Sequence, residues 1–558
     1  MMQKSDHLFI CGFVLLVGGL LLIGAPVNAQ TCSVSQPLQL VSVALDGTPS
    51  GVVGFNEASI SADGRYVAFT SYASNLVTED TNQIQDVFVR DMVAGVTERV
   101  SVGPNGLEAN GESKYPSLSG DGNLITFESY ASNLAADDQT EDCPQQNPSC
   151  LDIFVRNRKT GALALVSTAW NSELPAGDSH NSTISGNGRY VAFQSDATNL
   201  IATDTNNATD VFVRDLETGS IERVSIASNG VEGNNNSYDP MGISWDGRYI
   251  TFVSTASNLV ENDHNANCHQ SSFLCSDVFV HDRVTHQTLR ASVTSDGIEA
   301  NGSSDSPSLS HDGRYMSFVS PASNLAPGDP DDSVSVFLDV FIHDLDTHTT
   351  QIASVSGGGI PADSYSNYPS LSFHGRYLAF GVSGPGVSIF VRDTWAGRNL
   401  LVSSGLNGQP ENGQSHYPAI SADGQHVAFW SDSSNLVADD TNNEGNIFVA
   451  ALNCPADRTP FTPSPLDAVP TRNYSTDDIT LTWNRIPWAA QYRIQVDTDK
   501  TFQPEFIVNE LVGADQLEKT LTGLNPNTYY WRVQALDATG KAGGWSAVES
   551  FTIGYPNP

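Results

Sequence analysis

Short apolar runs that alternate with polar residues, bounded by Gly, Asn and Asp, recur along most of this chain. The stretch "SADGRYVAFTSYASNL" (61–76) returns in six further copies, starting at Ser119, Ser185, Ser244, Ser310, Ser372 and Ser421, at intervals of 49 to 66 residues. Within one repeat the alternation predicts four strands: "YPSLS" (115–119), "NLITFES" (123–129), "DIFVRN" (152–157) and "ALALVST" (162–168). No segment of the array has a helical period. Fixed-period repetition of four short antiparallel strands predicts the blades of a β-propeller.

The ends of the array fit that expectation. The last copy stops at its third strand, "NIFVAAL" (446–452), while "LQLVSVALDG" (38–47) matches the fourth-strand segment "TERVSVGPNG" (97–106). The predicted fold is therefore all-β: a seven-bladed β-propeller closed by its N-terminal strand, followed by a C-terminal β-sandwich. Residues 1–29 read as a signal peptide, with Lys4, a long apolar run and a small-residue cleavage site after Ala29; an uncleaved membrane anchor is the alternative. The propeller spans 30–454, a Pro-rich linker 455–465 and the sandwich 466–558.

The S-x-D-G turn followed by an aromatic-containing strand, as in "SADGRYVAF" and "SHDGRYMSF", resembles the TolB-type, WD-repeat-like propellers of bacteria over roughly residues 37–453. That resemblance implies the blade and is nearly silent about ligand. The TolB protein has six blades and a separate N-terminal domain, so its partners are not carried over. Further on, "ITLTWNRI" with Trp483, "YRIQVDT" and "LTGLNPNTYYWRVQALDATGKAGGWSAVESFTI" resemble a fibronectin type III module. Alternation puts Tyr529, Trp531, Val533 and Ala535 on one face, making Tyr529 the expected corner tyrosine, with Tyr530 as the alternative.

Charge narrows the partners. With 26 basic and 63 acidic residues the net charge is −37. Such a field repels phosphate backbones and anionic lipid, which argues against nucleic acid and leaves proteins, neutral glycans and divalent cations. After signal cleavage no membrane insertion is expected, and the destination is extracellular, cell-surface or periplasmic. The six cysteines beyond Cys11 suggest two local staples, Cys143–Cys150 and Cys268–Cys275, and one clasp, Cys32–Cys454, across the ends of the array. A zinc site near His264 and His269 is the alternative to the second staple.

Chain reversal at each strand puts the second-to-third and fourth-to-first loops on one face and the tight Asp-Gly turns on the other. Arg65, Arg189, Arg248, Arg314 and Arg376 recur at one turn position and read as structural. The Asn of "ASNL" reads as a bond to loop backbone. The tracts that follow are candidate calcium loops: Asp80, Asn82 and Asp86; Asp204, Asn206 and Asp210; and Asp440 with Asn442. The alternative is a turn whose final Asp braces the third strand. Trp170 stands in a fourth-to-first loop, where it could stack on a sugar or anchor a protein, or else lid the blade core. The sixth copy lacks both features, and its short loop (381–388) predicts a notch in the rim. No nucleophile elbow, zinc-protease or phosphate-loop motif occurs. The leading expectation is an exported, non-enzymatic binding or scaffold protein that presents the long-loop face to a protein or glycan. The rivals are a secreted polysaccharide hydrolase or lyase with carboxylates at the channel, and a calcium-stabilised surface protein.

Overall fold

The computed structural model describes residues 32–50, 53, 58–135, 151–263, 275–327, 338–355, 365–383 and 386–455 (except 443), and in the C-terminal part 479–483, 491–503, 506–513, 516, 518–536, 542–546 and 548–553. The signal segment, Cys143, Cys150, Cys268, His264, His269 and the linker lie outside the described residues. No helix among the described residues is long and apolar enough to cross a membrane.

From Val34 to Leu452 the chain forms seven four-stranded antiparallel sheets. Six of them are built from consecutive strands; the seventh is Ser415–Ile420, His426–Ser431 and Asn446–Leu452, with Val34–Leu40 as its outer strand. Val34 pairs with Leu452 and Leu40 with Phe448, so the N-terminal strand completes the last sheet as the sequence match predicts. Cys32 and Cys454 are disulfide-bonded beside this seam. Cys275 is also disulfide-bonded.

The middle strands of each sheet are buried on both faces, as in Tyr66–Ser71 and Asp86–Asp91, because each sheet packs between two others. One phenylalanine pair sits at the centre of every sheet. Phe69–Phe88, Phe127–Phe154, Phe193–Phe212, Phe252–Phe279, Phe318–Phe341, Phe380–Phe390 and Phe429–Phe448 have ring centroids 5.6–6.4 Å apart. The core clusters cross from one repeat to the next: Val87, Val89 and Val100 pack with Leu118, Ile125 and Phe127.

The tight turns are fixed by their own side chains. In the first, the Ser61 hydroxyl donates to Asp63 Oδ1 at 2.7 Å and accepts from the Tyr66 amide at 2.9 Å, while Gly64 takes φ +74°. The recurrent arginines brace these turns. Arg65, Arg189, Arg248, Arg314 and Arg376 pair with Asp91, Asp215, Asp282, Asp344 and Asp393 at 2.7–3.0 Å.

Seven backbone hydrogen bonds then link turn to turn around the channel: Ala62 to Gly120, Gly120 to Gly186, Asn187 to Trp245, Trp245 to His311, Asp312 to Phe373, Phe373 to Ala422, and Asp423 back to Ala62, at 2.7–3.1 Å. The circuit has no gap. Trp245, His311 and Phe373 pack together at the tight-turn end of the channel with ring centroids 5.7–5.9 Å apart, His311 stacked on Phe373 and Trp245 tilted against both. Gly120 and Gly186 make room for Trp245, since a Cβ on either would stand 2.0–2.1 Å from its ring. Together these features are the architecture of a β-propeller.

The C-terminal part forms two further sheets. One pairs Ile479–Thr482 with Glu518–Leu521; the other joins Val508–Gly513, Gln491–Asp497, Asn527–Leu536 and Ala542–Trp545, with Glu549–Ile553 also on Asn527–Leu536. Tyr529, Trp531, Val533 and Ala535 are all buried. The Tyr529 hydroxyl donates to the Asn525 carbonyl at 2.8 Å, so Tyr529 is the residue that pins the corner.

Because Cys32 and Cys454 are 422 residues apart and flank the seam, Cys32→Ser is expected to cost about 2–4 kcal/mol. Urea unfolding should show it, with hydrogen exchange rising first in Val34–Leu40. Unchanged exchange there would mean that strand pairing alone holds the ring.

Candidate functional site

Two regions of the long-loop face carry side chains beyond what the fold requires: the loop tips and the channel mouth. The loops are tightly held. Asn133 Nδ2 donates to the Glu108 carbonyl at 2.8 Å while its Oδ1 accepts from the Asn110 amide at 3.1 Å. Asn199, Asn258, Asn324 and Asn435 repeat this clamp on the loops preceding their own repeats. In these five repeats the Asn of "ASNL" therefore ties the second-to-third loop to a fourth-to-first loop.

The Asp tracts meet a guanidinium. Arg99 Nη1, from the fourth strand, lies 3.1 Å from Asp80, 3.2 Å from Asp86 and 2.9 Å from Glu108. Asn82 turns its Nδ2 toward Asp86 at 3.1 Å, so it donates to that carboxylate. Arg223 joins Asp204, Asp210 and Glu232 in the same way at 2.6–3.4 Å, with Asn206 Nδ2 donating to Asp210. Arg290 joins Asp263, Asp277 and Glu299 at 3.1–3.4 Å. In each trio a side chain of the protein occupies the point where the oxygens converge. A calcium ion would have to displace a nearly buried guanidinium.

The seventh sheet keeps Asp440 in the place of Asp80 but differs at the other three members of the cluster. Asn446 stands in the place of Asp86, Leu40 in that of Arg99 and Pro49 in that of Glu108, while the Asn446 amide bonds Asp440 and Asn442 at 3.1–3.3 Å. Three charges have gone together. The second sheet keeps only the acid: Asp152 bonds Ser167 at 2.6 Å, Leu165 replaces the arginine, and burial pushes the carboxyl up to about 6.

These held loops end in exposed apolar side chains. Leu45, Leu107, Trp170, Val231 and Ile298 are 50–64% exposed, each in a different fourth-to-first loop. Leu45 and Trp170 occupy one position of the loop turn and the other three a second, so each loop offers one apolar tip. Trp170 is therefore a surface residue rather than a lid. Its amide bonds the Leu200 carbonyl, as the Leu45 amide bonds that of Asn75, at 3.0 Å.

At the channel mouth, six residues adopt left-handed backbone at the same place in the innermost strand or its lead-in. Tyr115, Asn181, Asp239, Ser306, Tyr368 and Tyr417 have φ of 49–53°. In five of these strands the pairing register shifts at this residue, a bulge that turns its side chain toward the axis. All six line a cavity of about 460 Å³ whose inner end reaches His311. Left-handed backbone is strained for a tyrosine, and such strain gathers at functional positions.

Behind this collar lies a chain of polar contacts. Glu128 Oε2 accepts from the Asn181 amide at 3.1 Å, Asn181 Nδ2 donates to Asp239 at 2.7 Å, and Gln194 accepts from the Asp239 amide at 2.7 Å. Glu128 has Lys114 Nζ at 3.5 Å, and His180 lies 3.9 Å away. Among the described residues neither Asp239 nor Asp305 makes an ion pair. Burial pushes both carboxyls up, and the charge of Asp305 adds to the effect on Asp239. The opposite wall is aromatic, with Tyr368 and Tyr417 at 4.3 Å between centroids. Alternation of apolar and polar residues does not mark this collar.

No protein-family model matches the chain, and no curated protein does. Among solved structures, the propeller domain of the trilobed protease of Pyrococcus furiosus aligns at 10% identity and TM-score 0.43, over 71% of this chain and 95% of that one. An oligogalacturonate lyase of Vibrio parahaemolyticus aligns at 12% and 0.42, over 76% and 97%. A putative TolB of Agrobacterium tumefaciens aligns at 13% identity and TM-score 0.35, over 64% and 93%.

Two variants test the charge trios. Arg99→Leu should cost about 3–5 kcal/mol by stranding buried Asp86, and adding Asp86→Asn with Glu108→Pro, the seventh-sheet combination, should recover most of it. Millimolar calcium should leave the unfolding midpoint where EDTA leaves it. The pH dependence of Asp152 has a definite sign. Its folded pKa is raised, so the folded state holds a proton that the unfolded chain has lost between about pH 4 and pH 6. Stability therefore falls as pH rises through that window. Asp152→Asn should flatten the fall and stabilise the protein at pH 7 by roughly 1–3 kcal/mol.

Proposed function

We propose that this is an exported binding protein: a seven-bladed propeller, closed by its N-terminal strand, that presents its long-loop face to a protein or glycan, with a C-terminal fibronectin type III module as spacer or dock. The observation that carries this reading is the set of exposed apolar tips, Leu45, Leu107, Trp170, Val231 and Ile298, one per loop. Apolar side chains held at fixed points on an acidic surface suit recognition: they offer contact area with little ordering cost on binding. The arginine trios and asparagine clamps supply the rigidity. The apolar leader and the disulfide-linked ends suit export to an oxidising compartment. The Tyr529 corner and the two-sheet arrangement support the fibronectin-type reading of the C-terminal part.

A second reading, polysaccharide cleavage at the channel, draws on Asp239 and Asp305, two half-buried carboxylates that make no ion pair among the described residues. One experiment separates the two. The parent protein, Leu107→Ser/Val231→Ser/Ile298→Ser and Trp170→Ala are run against an immobilised glycan panel and against fractionated secreted proteins. The tip variants should unfold within about 0.5 kcal/mol of the parent yet bind any captured partner at least tenfold more weakly. Release of reducing ends from a polysaccharide, abolished by Asp239→Asn, would replace the binding reading with the enzymatic one.

A further inference from the structure

The channel collar is independent of the loop tips, and its composition is lopsided. One arc carries Asn181, Asp239 and Ser306, with Glu128 and Asp305 behind them. The other carries Tyr368 and Tyr417, whose hydroxyls lie 3.4 Å apart. Asp239 thus lines the cavity with Glu128 and Asp305 behind it, and among the described residues the cationic groups beside these three carboxylates are Lys114 and, when protonated, His180, both on Glu128.

Lys114 itself displays the chemistry. Its ammonium sits against the Glu128 carboxylate and over two tyrosine rings, 5.4 Å from the centroid of Tyr115 and 5.3 Å from that of Tyr130. A carboxylate on one side and aromatic faces on another is how a protein holds an organic cation, through charge and through the ring quadrupoles together. At the collar the same two ingredients recur around a cavity of about 460 Å³, a size that suits a small ligand, and among the described residues no Lys or Arg lines it.

We propose that the channel cavity is a binding site for a small organic cation, an alkylammonium or guanidinium group. Asp239 is its counter-ion, Asn181 orients that carboxylate through the 2.7 Å bond, and Tyr368 and Tyr417 face the ligand's apolar stem. A neutral sugar would use the tyrosines and the hydrogen-bonding groups but would leave the half-buried carboxylates of Asp239 and Asp305 uncompensated. A cation compensates it. The carboxylates also raise the local concentration of cations at the mouth.

The test is calorimetric titration of the full protein at 0.15 M salt with 1,5-diaminopentane and with arginine methyl ester. The uncharged comparators are 1,5-pentanediol and maltotriose. At least one of the two cations should bind, raise the unfolding midpoint in proportion to its concentration, and exceed both comparators by at least tenfold. Asp239→Asn should weaken that binding at least tenfold without lowering the ligand-free midpoint, since it removes a half-buried charge. Tyr368→Ala should weaken it as well, and Asp46→Asn, a change at an exposed loop, should not. Binding of the diol or the sugar as tight as that of the cations would overturn the proposal. So would an affinity unmoved by Asp239→Asn, which marks diffuse attraction to an acidic protein, or no binding by either cation. None of these outcomes bears on the loop tips, which are tested by their own variants.

Discussion

The circuit of backbone hydrogen bonds around the channel floor is the constraint on which the rest of the molecule depends. Each link joins the turn of one repeat to the turn of the next, so every turn must present its amide and carbonyl at the same height and angle. The Ser–Asp bond inside each S-x-D-G motif sets that angle, and the arginine one residue after the glycine ties the turn to the third strand. The variable residue of the motif faces a different demand. Seven such residues surround one axis, and their combined volume has to fit it. Trp245, His311 and Phe373 are large there, whereas Ala62, Gly120, Gly186 and Ala422 are small. What looks like noise in an alignment of the repeats is one packing problem solved jointly by seven positions.

Much of this was legible in the sequence because it is local and repeated. The hairpin turns, the strand order, the closing strand and the Cys32–Cys454 clasp all follow from motifs visible within a few residues or from matching two ends. The arginine trios were harder to foresee. Asp80 and Asp86 look like a metal loop when their tract is viewed alone, since oxygen ligands at such spacing are what calcium prefers. Arg99 reaches them from the neighbouring strand, and Glu108 from the loop beyond it. A signal was present all the same: the fourth-strand arginine accompanies the tract in the first, third and fourth sheets, and in the seventh, where Leu40 stands in its place, Asn446 replaces the last Asp. Repeats within one chain serve as controls for one another.

The collar was hidden for a different reason. An alternating pattern assigns each residue to one face or the other and has no symbol for a bulge. Tyr115, Tyr368 and Tyr417 therefore read as ordinary strand residues in "YPSLS", "YPSLS" and "YPAIS", although the recurrent Tyr-Pro pair hinted at irregular backbone. Asp239 was more obscure still, because its repeat carries an extra residue that breaks the innermost strand after Tyr238. The residues of greatest chemical interest sit where the repeat departs from its own rule, which agrees with the general tendency of local irregularity to gather at functional positions.

The seam between first and last strands has a consequence for how the molecule is made. Leu40, Pro49 and Asn446 leave that joint without the buried ions that brace the first, third and fourth sheets, so its two halves can come together with no guanidinium to strip of water. Synthesis runs the other way: Val34–Leu40 emerges first, and its partner Asn446–Leu452 emerges only after six sheets have been completed. Until then the leading strand has an open edge and Cys32 a thiol with no mate. A chain cut short before Asn446 keeps both, which makes an incomplete molecule chemically distinct from a finished one.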